Sequence, residues 1–353
     1  MRPRLLLLAL TSIASIAAVT PVTAAPGSPT PAPGAVAAAA PGPSALPRTV
    51  PVRSAEQLRA DLHTSMALAD IPDLSVDELV AMSRLFAIDD TLDNITTYYG
   101  TDYLWSLAMM MAGSGLDPTA QGPQVEDRGL GQIGDQIEQV ARNWGTDPSN
   151  AYYSPSLPKD GSIWDPNVNM HAQAIWFRNI LTLNYLTTIE QTDAIYARGL
   201  SAVDPATGAI SMGAQTDVER AKSYIPTLQK LLFLKDFVRR DGGVPTSLSP
   251  IARQILEIDR TTADGAPAYT AYRDLYAGLV MAGPPNAYLL STYLHEAVTY
   301  TNILSRAYGV DVSASARQIM ALMDESRAAI SRQATLAALF DRDYATLANL
   351  AGN

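Results

Sequence analysis

Four short strings in this chain carry residue types able to do chemistry. Ser156-Leu-Pro-Lys159 has the serine-x-x-lysine spacing of an acyl-transfer nucleophile. That chemistry needs both side chains on one helix face, where the amine can activate the hydroxyl. The internal proline and the loop setting oppose such a helix. His295-Glu296-Ala-Val-Thr299 opens like a zinc-protease helix but holds threonine where the second histidine ligand belongs. The other histidines, His63 and His171, are distant in sequence, so neither a metal site nor a cofactor is expected. Asp204-Pro-Ala-Thr-Gly208 reads as a turn, too poor in oxygen ligands to hold calcium. Glu126-Asp127 stand directly before Arg128-Gly-Leu-Gly-Gln132, and adjacent acids of this kind usually sit in water on a loop.

The elements that must position these groups read as helices. Arg2 and Arg4, the apolar run Leu5 to Ala18 and the small residues Val22-Thr23-Ala24 make residues 1–24 a signal peptide, too short for a permanent membrane span. The expected location is therefore secreted, periplasmic or at the cell envelope. Residues 25–50, nearly all Ala, Pro, Gly, Ser, Thr and Val, cannot bury a core and read as a tether. Without the first segment the charge is 23 − 35 = −12, a balance that argues against nucleic acid as a partner. No cysteine is present, so packing alone must stabilise the fold.

Ser54-Ala-Glu-Gln57 offers a capping box for a helix carrying Leu58, Leu62 and Met66, and another helix should begin near Ser75 with Leu79, Met82 and Leu85 inward. Residues 102–112 read as a buried helix ended by Gly113 and Gly115, with Pro118 blocking a restart. Glycine at 113 suits a helix end that needs positive φ. Further helices are expected at 134–143, 169–186, 215–239, 247–259, 267–281, 287–307, 313–327 and 331–350, with no alternating strand pattern and no repeat. A break at Asp241-Gly-Gly-Val-Pro245 divides the ordered chain into N-terminal helices (51–98), a central part (99–239) and a helical C-terminal region (240–353).

Five motifs in order give the central part a resemblance. Gly113-Ser-Gly-Leu-Asp-Pro118, Gly129-Leu-Gly-Gln-Ile133, Ile163-Trp-Asp-Pro-Asn-Val-Asn-Met170, Ile195-Tyr-Ala-Arg-Gly199 and Ala221-Lys-Ser-Tyr-Ile-Pro226 resemble those of the transglycosylase SLT family. The resemblance spans roughly residues 99–235 and implies a mainly α, lysozyme-like domain flanked by N-terminal helices and a C-terminal helical region. It further implies cleavage of the β-1,4 glycosidic bond of peptidoglycan, with glycan strands, and other cell-envelope proteins, as partners. By the same resemblance Ser114, Gln132 and Tyr196 line a saccharide groove.

Three departures bear on activity. Gly113 occupies the position of the family's catalytic glutamate, Ala197 that of an asparagine and Gly131 that of a methionine. Glycosidic cleavage needs an acid that protonates the leaving oxygen, and glycine exchanges no proton. The goose-type lysozymes keep aspartates just ahead of the corresponding turn, so the resemblance nominates Glu126 or Asp127 as a relocated acid. The alternative is a catalytically inactive relative that binds glycan or acts as a scaffold. For Gln132 and Tyr196, turn hydrogen bonding and core packing are the alternatives to ligand contact. The seven C-terminal tyrosines (Tyr269, Tyr272, Tyr276, Tyr288, Tyr293, Tyr300 and Tyr308) suit either stacking on sugars or partners, or the packed edges of a bundle.

Overall fold

Ser54 caps Ala55–Ser65 (α1) through the anticipated capping box, and Ser75 does the same for Val76–Phe86 (α2). The computed structural model describes residues 50–71, 73–122, 126–330 and 333–352. The expected signal peptide and all of the tether except Val50 lie outside the described residues. After α2 come Asp89–Tyr99 (α3), Tyr103–Ser114 (α4), Asp135–Thr146 (α5), Pro166–Ile180 (α6), Ile189–Arg198 (α7) and Met212–Asp241 (α8). The chain continues through Pro250–Thr261 (α9), Ala266–Met281 (α10), Ala287–Tyr308 (α11), Ser313–Ile330 (α12) and Ala334–Leu350 (α13). The fold is mainly α. Among the described residues β-structure is limited to isolated bridges at Gln121–Arg128, Arg128–Ile133 and Val203–Ile210. No described helix is long and apolar enough to cross a membrane.

Two helices, α3 and α7, were not anticipated. Polar residues interrupt their apolar spacing, and α7 announces itself only by the Thr188–Gln191 capping box. The helix expected at 169–186 begins earlier, at Pro166 behind the Asp165 cap, and stops at Ile180 in a run of turns. Helix α8 runs straight through Pro226, because its flanks Ala214, Val218 and Ala221 on one side and Leu228, Leu231 and Leu232 on the other are all buried.

The long α8 packs against α4, with α1 and α7 also on it, while α6 lies against α3, α5 and α7. The antiparallel α10–α11 pair and the α11–α12–α13 bundle make up the C-terminal half. Tyrosines bind that half to α2. Ser83 Oγ lies 2.7 Å from the Tyr300 hydroxyl and 3.0 Å from that of Tyr276, and the two rings stack 5.8 Å apart. Tyr269, Tyr272 and Tyr293 are buried as well, and Tyr308 is half-buried against Tyr269. Of the seven, Tyr288 alone is exposed, so the sugar-stacking alternative fails for the set. The five buried rings are core.

A charge cluster lies beneath the same junction. Lys235 on α8 is 3% exposed and sits 2.9 Å from both Asp89 Oδ2 and Asp259 Oδ1. Burial pushes the ammonium pKa down, but Asp89, Asp259 and Asp90 outweigh it and hold Lys235 above its ordinary value. Removing one partner of such a cluster leaves buried charges uncompensated. Lys235→Met is therefore expected to lower unfolding free energy by about 3–5 kcal/mol in urea melts at pH 7. A variant as stable as wild type would show the cluster to be energetically neutral.

Candidate functional site

The end of α4 and the 128–133 turn meet around a glycine without a side chain. Helix α4 continues through Gly113 to Ser114, and Gly115 takes the left-handed cap (φ 62°). The expectation of positive φ at Gly113 is thus corrected, since the cap falls two residues later. In place of a side chain, Gly113 has the Gln132 Cγ close by: a Cβ at 113 would stand 3.1 Å from it.

Gln132 reaches that position through strained backbone. Among the described residues, the non-glycine residues with positive φ are Leu116 (60°) and Gln132 (52°), one in each of the two segments that meet here. Such residues cost on the order of 1–3 kcal/mol and gather at functional sites. The Gln132 side-chain amide donates to Gly129 O at 2.7 Å, while its Oε1 is buried with no hydrogen-bond partner among the described residues.

Asn169 holds this turn in place. Wholly buried on α6, it accepts from Gly131 N at 2.7 Å and donates to Arg128 O at 2.9 Å and Ile163 O at 3.1 Å. Gly129 is left-handed (φ 73°) and faces Asn169 so closely that any Cβ would collide with the amide. Gln173, one helical turn on, packs its Cβ and Cγ against Gly131. Tyr196, on α7, closes the cluster by donating to Gly131 O at 2.7 Å.

The candidate residues separate accordingly. Gln132, Tyr196 and Asp127 come together. A Cβ on Gly122 would strike both the Gln132 amide and the Asp127 Cβ, and the Asp127 carboxylate adds to the rise in the Tyr196 pKa that burial chiefly causes. Glu126 points to solvent. Ser114 is engaged within its own helix, donating to Met110 O at 2.8 Å. His295 pairs with Asp343 and Glu296 with Arg84, and no group of three or more His, Cys, Asp or Glu among the described residues is arranged to hold a metal. Asp204 forms the expected turn, accepting from Ala206 N and the Thr207 hydroxyl.

A hollow of about 380 Å³ opens beside α4 between α2 and α8, lined by Ser75, Asp77, Glu78, Ala81, Met111, Tyr224 and Thr227. Tyr224 belongs to one of the five motifs; Gln132 and Tyr196 are not part of the wall. The α4 end is fixed from the other half of the chain. Arg84 donates to Gly115 O at 3.0 Å and grips Glu296 through Nε (3.0 Å) and Nη2 (2.6 Å). Comparison with protein-family models, with characterised proteins and with solved structures returns no match.

Sequence reasoning missed Asn169 and Gln173 as builders of the site, and Asp193 beneath it. Asp193, three residues before Tyr196 on α7, is 4% exposed, and its Oδ2 has no hydrogen-bond partner among the described residues. Burial first, then the neighbouring Asp217 and Glu190 against an opposing Arg220, raise its pKa from 3.8 to about 7. The folded chain therefore holds this proton more tightly than the unfolded chain, and stability falls as pH climbs from 3.8 through about 7. Asp193→Asn is expected to be more stable than wild type at pH 8 by roughly 1–3 kcal/mol and nearly equal to it at about pH 4. Thermal melts at the two pH values check this, and a variant less stable at pH 8 would contradict it.

Proposed function

We propose that this chain is an exported, peptidoglycan-directed protein that binds glycan strands without cutting them. The observation that carries the reading is the meeting of Gly113, Gln132, Asp127 and Tyr196 around strained backbone. Gly113, Gln132 and Tyr196 belong to motifs that resemble a transglycosylase groove, while the position required for proton transfer has no side chain. General acid–base help is worth about 10²–10⁴-fold, and without it a bound β-1,4 bond has no assisted leaving group. The hollow beside α4 supports a saccharide ligand. Its lining combines Ala81, Met111 and Tyr224 with the hydroxyl-bearing Ser75 and Thr227 and the acids Asp77 and Glu78.

A second reading has its own observation. Asp127 stands beside the Gln132 side chain and its charge is felt at Tyr196; as a relocated acid it would make the chain a lytic transglycosylase or lysozyme-type enzyme. Glu126, exposed, has no such geometry.

Incubating the protein with isolated sacculi separates these readings. Wild type is expected to pellet with the sacculi and to release no muropeptides. Release abolished by Asp127→Asn and untouched by Glu126→Gln would establish the second reading. Neither pelleting nor release would remove peptidoglycan as the ligand. Gly113→Glu is a fair gain-of-function probe, because residue 113 is helical and only the flexible Gln132 side chain must give way. In an otherwise intact groove it is expected to produce release at least tenfold above wild type.

A further inference from the structure

The loop between α5 and α6 holds a constellation that the glycan reading does not use. Ser156 is exposed, and its Oγ lies 3.3 Å from Nε2 of His171. His171, on α6, is 1% exposed. Its other nitrogen, Nδ1, lies 3.1 Å from the hydroxyl of Tyr99, the buried last residue of α3, and the two rings meet edge-on at 5.6 Å. Buried Ser154 places its own hydroxyl 2.8 Å from that of Ser156. The Asn167 side-chain amide, in the first turn of α6, stands 3.5 Å from the Ser156 carbonyl oxygen.

This is the geometry of a hydroxyl, a base and an orienting group. With Nδ1–H donated to the Tyr99 oxygen, the lone pair on Nε2 faces the Ser156 hydroxyl. The polar groups facing His171 are the hydroxyl of Tyr99 from α3 and that of Ser156 from the loop. No charged neighbour contributes to its titration, so burial alone lowers its pKa, to about 4, and the imidazole is unprotonated throughout the neutral range. The Ser156-Leu-Pro-Lys159 string thus contains a candidate nucleophile whose partner is a histidine fifteen residues on, not the lysine.

We infer that Ser156 is a nucleophile toward acyl and phosphonyl electrophiles, with His171 as its base and Tyr99 as a positioning residue, and that small O-acyl esters are the substrate class. In the first step Oγ bonds to the ester carbonyl carbon while its proton passes to Nε2. Collapse breaks the bond to the alcohol oxygen, and the alcohol leaves with that proton. Water then attacks the acyl-serine by the same route, releasing the carboxylic acid and restoring Ser156. The sum is ester plus water giving acid plus alcohol.

A fluorophosphonate probe tests this on the full chain, since Oγ attack at phosphorus expels fluoride and leaves a stable adduct readable by mass spectrometry. Labelling is expected at one site, Ser156, and is expected to vanish in Ser156→Ala, an exposed substitution that leaves the core untouched. Tyr99→Phe should slow it about tenfold with an unchanged helical circular dichroism spectrum. The labelling rate should be flat from about pH 6 to pH 9 and fall only below about pH 5, following His171. An unlabelled wild type, equal labelling of Ser156→Ala, or a rate that bends near pH 7 would overturn the assignment. None of these outcomes depends on whether the chain binds peptidoglycan.

Discussion

One buried asparagine sets the geometry on which the rest of the site depends. A six-residue turn cannot satisfy its own backbone when packed against a helix, and an unpaired buried amide or carbonyl costs roughly 1–3 kcal/mol. Asn169 meets that demand from α6 by accepting from Gly131 N and donating to Arg128 O, and its side-chain amide also donates to Ile163 O just before the helix. Its closeness excludes any side chain at residue 129 and so fixes a left-handed glycine there. From that anchored turn Gln132 is thrown into its own left-handed conformation toward Gly113, and the Gly131 carbonyl is presented to Tyr196. The Gln132 Cγ methylene thereby stands beside the α4 end.

The C-terminal half acts on the site mechanically. Arg84 joins the α4 cap to Glu296 on α11, Asn302 donates to Thr119 just after α4, and the Arg306 guanidinium lies 3.5 Å over the Trp164 ring before α6. These contacts converge on the segments flanking Gly113 and Asn169. The buried tyrosines extend the same junction, because large rings supply packing area where α10 and α11 cross α2 and their hydroxyls find Ser83. A chain without cysteine relies on such packing and on clusters like that around Lys235.

Most of the helical architecture was legible in the sequence, since apolar residues recurred at helical spacing and serines stood at the helix starts. What stayed illegible has physical causes. Helices α3 and α7 are short and partly polar on their buried sides, with Asp89, Thr96, Thr192 and Asp193 inward. Periodicity therefore under-reads them. The helix expected over 215–239 does run through Pro226, with buried apolar residues on both sides of the proline holding it in place. Within the site, Gln132 and Tyr196 could be singled out by motif, but their partners are backbone carbonyls, which no side-chain pattern reveals. Asn169 stood inside a quoted motif without a role, because its three bonds reach Gly131, Arg128 and Ile163 across a fold that must first exist. The aspartate and glutamate at 126–127 looked equivalent in sequence. The turn leaves Asp127 half-buried beside the Gln132 side chain and Glu126 in solvent.

The Gln132 side chain packs beside residue 113, on the side where an acid would otherwise extend. Nuclear Overhauser spectroscopy on isotopically labelled protein measures this contact most directly. Cross-peaks from the Gln132 γ-protons to the Gly113 α-protons, together with a side-chain amide that exchanges slowly with water, are the predicted result. A Gln132 amide in fast exchange and without those cross-peaks would contradict this packing and mean that the space beside Gly113 is open.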